Sequence, residues 1–390
     1  MTFRVRTYNR ISPQGLGRFP VGRFEVASEL DAPDAYLLRS QVLDADATPD
    51  SVLAVARAGA GVNNVPVDAY SRRGIVVFNT PGGNANAVKE LVVAGLLLGS
   101  RGIVEGIEFV RGLRSLEGAA MHERLEAEKK RFAGRELTGR TLGIVGLGAI
   151  GSMVADVALA LGMKVLGYDP ALSVEAAWRL PSSVERMEEL GALVAGADYI
   201  TLHVPAIDAT RGLINADLLT RARPGTVLLN FARPAVVDAA AVGEALTAGR
   251  LGRYICDFPE PGLMDRDDVI AVPHLGASTA EAEDNCAIMA ADQLMDFLIN
   301  GNIINSVNFP RMTVARVEGA RITIANENVA GVLGDVLSIL AEDKVNIIDM
   351  VNRSRGDLAY NIIDVDHAPP AAVLERVRAA EHVISVRSIA

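Results

Sequence analysis

Cysteine is scarce in this sequence: Cys256 and Cys286 are the only two among 390 residues, and they stand at neither metal-ligand nor redox spacing. A disulfide framework is thereby excluded as the source of stability, a reducing compartment is favoured, and no metal site is expected. A basic surplus is also missing, because 38 Lys and Arg face 48 Asp and Glu, a formal net charge of -10. Nucleic-acid binding normally needs a concentrated basic surface, so a polyanionic partner is not expected, although a few local arginines could still hold a small anion. No window offers about 18 uninterrupted apolar residues, and the opening MTFRVRTYNR has no long apolar stretch. Neither a membrane span nor export is expected, and the cytoplasm is the default location. Tandem repeats and low-complexity tracts are absent as well.

What the sequence does contain is enough apolar residue for more than one core. Single cores stop growing at roughly 250 to 300 residues, so 390 residues predict two or three domains. From residue 1 to about 97, the runs FRVRTY, AYLLRS, LAVARAGA and IVVFNTPGGN read as strands or strand ends of an α/β half-domain. Residues 88–111 read as one helix buried between domains. From TLGIVGLGAIG onward, YITLH, TVLLN, RYICD and DVIAVP alternate with helical patterns, which predicts a parallel, doubly wound sheet. Asp238 is placed to cap a helix that Gly249 ends, and residues 279–300 read as a long helix closed by Asn300 and Gly301. Residues 303–320 read as a connector. Beyond them the order βαββαβ predicts a ferredoxin-like domain of about 70 residues.

Gly146, Gly148 and Gly151 form G-x-G-x-x-G directly after an apolar strand and at the start of a helical pattern. The three glycines allow a tight turn, close approach of a pyrophosphate to the backbone, and close packing of helix on strand. The exposed amides and positive end of that helix suit the anion. The next strand ends at Asp169, eighteen residues past Gly151, where an acid would accept the ribose hydroxyls. A dinucleotide site follows, and the carboxylate favours NAD by repelling a 2′-phosphate.

Taking a hydride from an alcohol carbon requires a proton to leave its oxygen, and histidine titrates in the right range. Of the five histidines, His274 stands near a strand end in VPHLGAS. Arg233, in NFARPAVVD, and Glu260, in DFPEPG, follow two other strands, so an imidazole, a cation and a carboxylate gather where open parallel sheets hold ligands.

The ordered motifs NTPGGNANAVKEL, RELTGRTLGIVGLGAIG, LHVPAIDATRGLI, NFARPAVVD and PHLGASTAEAEDN make the chain resemble the D-isomer-specific 2-hydroxyacid dehydrogenase family over nearly its whole length. Its last 70 residues resemble an ACT domain. The resemblance implies that Arg233 binds the substrate carboxylate and carbonyl oxygen, that His274 is the acid-base, and that Glu260 orients the imidazole. It implies cofactor contacts at Gly146, Gly148, Ala149, Ile150, Gly151, Asp169, His203, Val204, Pro205, Ala232, Asp257 and Gly276. Arg39, Ser40, the turn Gly61 to Asn63 and Asn84 would face the substrate. Two departures stand out. Pro234 replaces a usual glycine, and Glu260 follows Asp257 by three residues instead of about five.

The implied fold is two doubly wound parallel-sheet domains plus the ACT domain. Residues 1–97 and 278–308 would form a discontinuous, flavodoxin-like substrate domain, 98–277 the Rossmann NAD domain with the reaction in the cleft between them, and 319–390 the regulatory domain. The implied activity is NAD-dependent oxidation of a D-2-hydroxy acid. A phosphorylated one, 3-phosphoglycerate, leads because the Arg39 guanidinium suits a phosphate. Another D-2-hydroxy acid such as glycerate, lactate or a 2-hydroxyglutarate type, or a non-enzymatic NAD(H)-sensing protein, stays open. L-serine is the implied effector, held by Asn328 and Asn346 between paired ACT domains of a homo-dimer or homo-tetramer. Asn326 and Ala330 depart from the usual histidine and proline there.

Overall fold

Short apolar runs separated by helices form three sheets in the computed structural model, which describes residues 2–389. Residues 1 and 390, the outer limits of the expected first and last domains, lie outside the described residues. The first sheet joins β1 (Phe3–Thr7), β2 (Phe24–Ala27), β3 (Ala35–Leu38), β4 (Ala54–Arg57) and β5 (Val76–Phe78). All its pairings are parallel, in the order β2-β1-β3-β4-β5. That is the flavodoxin-like order.

The second sheet joins β6 (Thr141–Val145), β7 (Lys164–Tyr168), β8 (Val184–Arg186), β9 (Tyr199–Leu202), β10 (Thr226–Asn230), β11 (Leu251–Cys256) and β12 (Val269–Ala271). Its order β12-β11-β10-β9-β6-β7-β8 reverses direction at β6 and β9, so a crevice opens at the carboxyl ends of those two strands. Asp238 accepts the amide of Ala241 to cap the helix Ala239–Thr247, and Gly249 follows with φ +70°. The third sheet, β13 (Ala320–Glu327), β14 (Ile347–Arg355), β15 (Leu358–Val365) and β16 (Val383–Ile389), is antiparallel in the order β14-β15-β13-β16.

Contact density divides the chain into two units, one running to Asn84 and resuming at Ala280, the other Ala85–Thr279. The expected single helix over 88–111 is two helices, Ala85–Ser100 and Ile103–Gly112. The break comes at Gly102, where a Cβ would lie 2.9 Å from the Phe132 Cα. A boundary at 97 would cut the first of these helices, which stays whole in the second unit because Val88, Val92 and Leu96 share a core with Leu142, Ile144 and Val154.

The third sheet falls within the first unit. One of its faces carries the helices Val332–Glu342 and Ala371–Arg378 over Ile322, Ile324, Ile363 and Val365. Its other face packs on the end of the helix Ala280–Asn300, where Ala325, Tyr360 and Ile362 join a core with Phe297 and Phe309. Arg321 anchors this junction. Its guanidinium, 0% exposed, pairs with Asp364 at 2.7 Å and donates to the carbonyls of Asn300, Val314 and Ala315. Arg387 donates to the Leu298 carbonyl at 2.9 Å and lies 4.8 Å from the centre of the Phe297 ring. Both cations meet the negative end of the helix Ala280–Asn300.

Removing one member of a buried ion pair leaves the other charge uncompensated, at about 3–5 kcal/mol, whereas replacing both with apolar groups of similar volume is far milder. Arg321→Ala should therefore lower the unfolding free energy by about that amount in urea titrations, and Arg321→Met with Asp364→Leu by much less. Equal losses in the two proteins would mean that the charge pairing is not what anchors the sheet.

Candidate active site

The glycine loop follows β6. Gly146 takes φ +92°, and a Cβ there would lie 2.5 Å from the His203 carbonyl oxygen, so only glycine serves. A Cβ on Gly151 would lie 2.0 Å from the Gly146 carbonyl, which enforces close packing of helix on strand. Gly148 differs: a Cβ there meets no protein atom within 4 Å. Gly148 caps the helix Ala149–Ala160 without a side chain, and both Gly148 and Ala149 are exposed. The helix thus opens onto free space next to its first amides, which fits a dinucleotide pyrophosphate held by main-chain amides. Ile150 is partly buried and packs against the core beneath the loop.

Asp169 stitches this loop to the end of β7, accepting the Leu147 amide at 2.9 Å and the Ala171 amide at 3.0 Å. Carboxylate oxygens can accept further bonds, which leaves it capable of holding ribose hydroxyls. His203 Nε2 lies 3.0 Å from Thr201 Oγ1, and burial pushes this imidazole well below the usual histidine range, so it stays neutral. Val204 stands beside Gly146, and Pro205 is exposed after it.

At the ends of β10 and β11 two buried polar residues organise the next loops. Asn230, 0% exposed, accepts the Ala232 amide at 3.1 Å through Oδ1 and donates to the Arg233 carbonyl at 3.0 Å through Nδ2. Its own carbonyl accepts the Asp257 amide at 3.1 Å. Asp257, 1% exposed, accepts the amides of Leu275 at 2.5 Å and Gly276 at 2.8 Å, while its carbonyl accepts the His274 amide at 3.0 Å. A Cβ on Gly276 would lie 2.9 Å from that carboxylate. The clamp holds His274 at φ +55°, a backbone conformation that a non-glycine residue adopts only when its surroundings impose it.

His274 and Arg233 thus belong to one hydrogen-bonded network. Sequence reasoning assigned Asp257 to the cofactor and did not single out Asn230, whose only signal is a polar residue ending an otherwise apolar strand. Arg233 is half-buried, burial lowers its pKa, and among the described residues no carboxylate lies within ion-pair distance of it. Such a cation is poised for a ligand anion.

Glu260 does not join His274. Among the described residues no carboxylate pairs with His274, and the imidazole instead meets the Phe258 ring edge-on, centroids 5.1 Å apart. The turn after β11 carries Glu260 to a hollow beside the helix Ala239–Thr247 with Gly243, Thr247 and Arg266. Its expected role in orienting the imidazole therefore rests on the resemblance and not on a contact between the two side chains.

In the first unit, Arg39 Nη1 lies 2.9 Å from Glu283 Oε1, an exposed ion pair of the kind that contributes little and is readily exchanged. Ser40 is exposed, and its amide donates to Asn9 Oδ1 at 3.0 Å. Arg57, which sequence reasoning passed over in LAVARAGA, donates to the carbonyls of Gly61 at 2.6 Å and Arg39 at 3.0 Å, holding the two expected substrate segments together. Asn84 Oδ1 is buried and has no hydrogen-bond partner among the described residues. In the third sheet, Asn328 Nδ2 donates to the Gly356 carbonyl at 3.0 Å, and Asn346 is exposed just before β14. The registers Glu327↔Leu358↔Arg355 and Ala320↔Val365↔Ile347 put the two asparagines at opposite ends of the sheet.

The family profile described as D-isomer specific 2-hydroxyacid dehydrogenase, NAD binding domain, matches residues 105–276, and the ACT domain profile matches residues 320–382. The chain is 32% identical over 341 residues to D-3-phosphoglycerate dehydrogenase of Haemophilus influenzae, spanning 84% of this chain and 78% of that one. To the enzyme of that name from Synechocystis it is 35% identical over 335 residues, 84% of this chain but 57% of that one. Against several of its curated relatives the chain therefore spans between half and two thirds of their length. The crystal structure of NAD+-bound 3-phosphoglycerate dehydrogenase of Entamoeba histolytica aligns with a TM-score of 0.62 and 25% identity, covering 79% of this chain and 99% of that one.

Asp257→Ala would strip the acceptor from the Leu275 and Gly276 amides. Bonds to a charged acceptor contribute ~1.5–3 kcal/mol, so exchange of these two amides should quicken by roughly ten- to more than a hundredfold relative to a core amide such as that of Ile200. Unchanged protection would show that the loop holds its shape without the carboxylate.

Proposed function

The chain belongs to the D-isomer specific 2-hydroxyacid dehydrogenase family, and within it we propose that it oxidises 3-phosphoglycerate at C2 to 3-phosphohydroxypyruvate, the entry to serine synthesis. The observation that carries this reading is the Asn230–Asp257 network, which presents an unpaired cation and an imidazole in the same sheet whose β6 carries the glycine loop. NAD, when bound, supplies the hydride acceptor. Arg233 holds the C1 carboxylate and the C2 oxygen, and its charge stabilises negative charge developing on that oxygen. His274 takes the hydroxyl proton onto an imidazole nitrogen as the C2 hydride departs, and returns it in the reverse direction. Gly146, Gly148 and Gly151 leave room for the pyrophosphate, and Asp169 accepts the ribose hydroxyls.

Arg39, Ser40, Gly61 and Asn84 hold the phosphorylated end of the substrate, with Glu283 yielding the Arg39 guanidinium to the phosphate. The same Arg39–Glu283 pair favours a second reading, in which the substrate is an unphosphorylated D-2-hydroxy acid. The ACT domain takes L-serine as effector. Because Asn328 and Asn346 lie at opposite ends of one sheet, a single ligand reaches both only when two copies pair, so the working form is a homo-dimer or homo-tetramer. No helix among the described residues is long and apolar enough to cross a membrane, and the cytoplasm is the proposed location.

Purified protein assayed for NADH formation across a panel of D-2-hydroxy acids should prefer 3-phosphoglycerate. His274→Asn should lower turnover by about two to four orders of magnitude while NADH binding persists. Arg39→Ala should weaken 3-phosphoglycerate by roughly ten- to a hundredfold and glycerate hardly at all. Equal effects on the two substrates would favour the second reading, and full turnover in His274→Asn would remove this histidine from the mechanism.

A further inference from the structure

Four arginines from separate stretches of the chain, Arg101, Arg135, Arg140 and Arg253, line one hollow of about 240 Å³ in the second unit. Its floor is backbone at the amino ends of the strands: Arg140 precedes β6, Asp198 precedes β9, Gly225 precedes β10, and Gly252 lies in β11. The glycine loop of the dinucleotide site follows the carboxyl end of β6, so the two sites occupy opposite ends of the same sheet.

Its walls are built by close chain approach. A Cβ on Gly134 would lie 2.1 Å from the Ser100 carbonyl oxygen, and one on Gly252 would lie 2.9 Å from the Gly225 carbonyl oxygen. Arg253 is satisfied, pairing with Glu105 at 2.5 Å and donating to the Leu98 carbonyl. The other three guanidiniums have no hydrogen bond or ion pair among the described residues. Asp198 is the one acid in the lining, and its Oδ2 already accepts the Thr141 amide at 2.9 Å.

Arg101 and Arg135 are exposed and Arg140 half-buried, so three guanidiniums without a protein partner stand around one carboxylate, a local positive surplus that an anion would relieve. This occurs in a chain whose net charge is -10, which makes the local positive surplus a specific feature of this end of the sheet. We propose that the hollow binds a small phosphate dianion, either inorganic phosphate or a compact phosphate monoester. The planar guanidinium forks of Arg101, Arg135 and Arg140 would donate paired hydrogen bonds to the phosphate oxygens. The volume is too small for a dinucleotide, which separates this site from that of the cofactor.

Calorimetric titration of the full chain, saturated with NADH to block the cofactor site, tests the proposal with inorganic phosphate and with glycerol 3-phosphate as probes. In Arg39→Gln, which removes the phosphate ligand proposed for the substrate site, phosphate binding should persist, and Arg101→Gln with Arg140→Gln added to that background should weaken it at least tenfold. Tighter binding of glycerol 3-phosphate than of phosphate would identify a monoester site, and the reverse would identify free phosphate. Equal phosphate binding with and without the Arg101 and Arg140 changes, loss of binding in Arg39→Gln alone, or the same heat from chloride at matched ionic strength would overturn the site. Because these readouts need no turnover, they stand or fall independently of the dehydrogenase assay.

Discussion

Two polar side chains removed from water at the ends of β10 and β11, Asn230 and Asp257, are the constraint from which the arrangement of the second unit's functional groups follows. A buried amide or carboxylate is costly unless its hydrogen bonds are made, and here nearly every one goes to a loop that carries a functional group. The Arg233 and His274 loops are therefore not independent. Each takes its shape from backbone amides and carbonyls that must reach these two residues, and the left-handed backbone of His274 is tolerated because the Asp257 clamp over-determines it.

The same logic accounts for what could and could not be read from the sequence. The glycine loop, the Asp238 cap and the Gly249 and Gly301 stops were legible because each is a local requirement, with turn, cap or positive φ decided within a few residues. Strands β2 and β8 were not legible. They are edge strands of four and three residues, partly exposed, and their apolar pattern is too short to register. The break between Ser100 and Ile103 has no local signal beyond Gly102, whose close neighbour Phe132 lies thirty residues away in the chain.

The candidate site divides in the same manner. His274, Arg233 and Asp169 lie at strand ends, where the topology alone directs attention. The ring contact of His274 could not be read off, because Phe258 and Glu260 share one turn and nothing local decides that Phe258 meets the imidazole while Glu260 lines a hollow beside the helix Ala239–Thr247. The Glu283 partner of Arg39 lies more than two hundred residues away in sequence. Likewise nothing local in RITIA announces that Arg321 is fully buried, and its burial is what fastens the ACT sheet to the end of the helix Ala280–Asn300.

The most direct test follows the hydride itself. Incubating the protein with NAD and D-3-phosphoglycerate carrying deuterium at C2 should place one deuterium on the nicotinamide ring of the NADH formed, with one 3-phosphohydroxypyruvate produced per NADH, both measured by mass spectrometry. Absence of labelled NADH with this acid, while another deuterated D-2-hydroxy acid transfers its label, would contradict the assigned substrate. Absence with every acid in the panel would contradict the assigned chemistry.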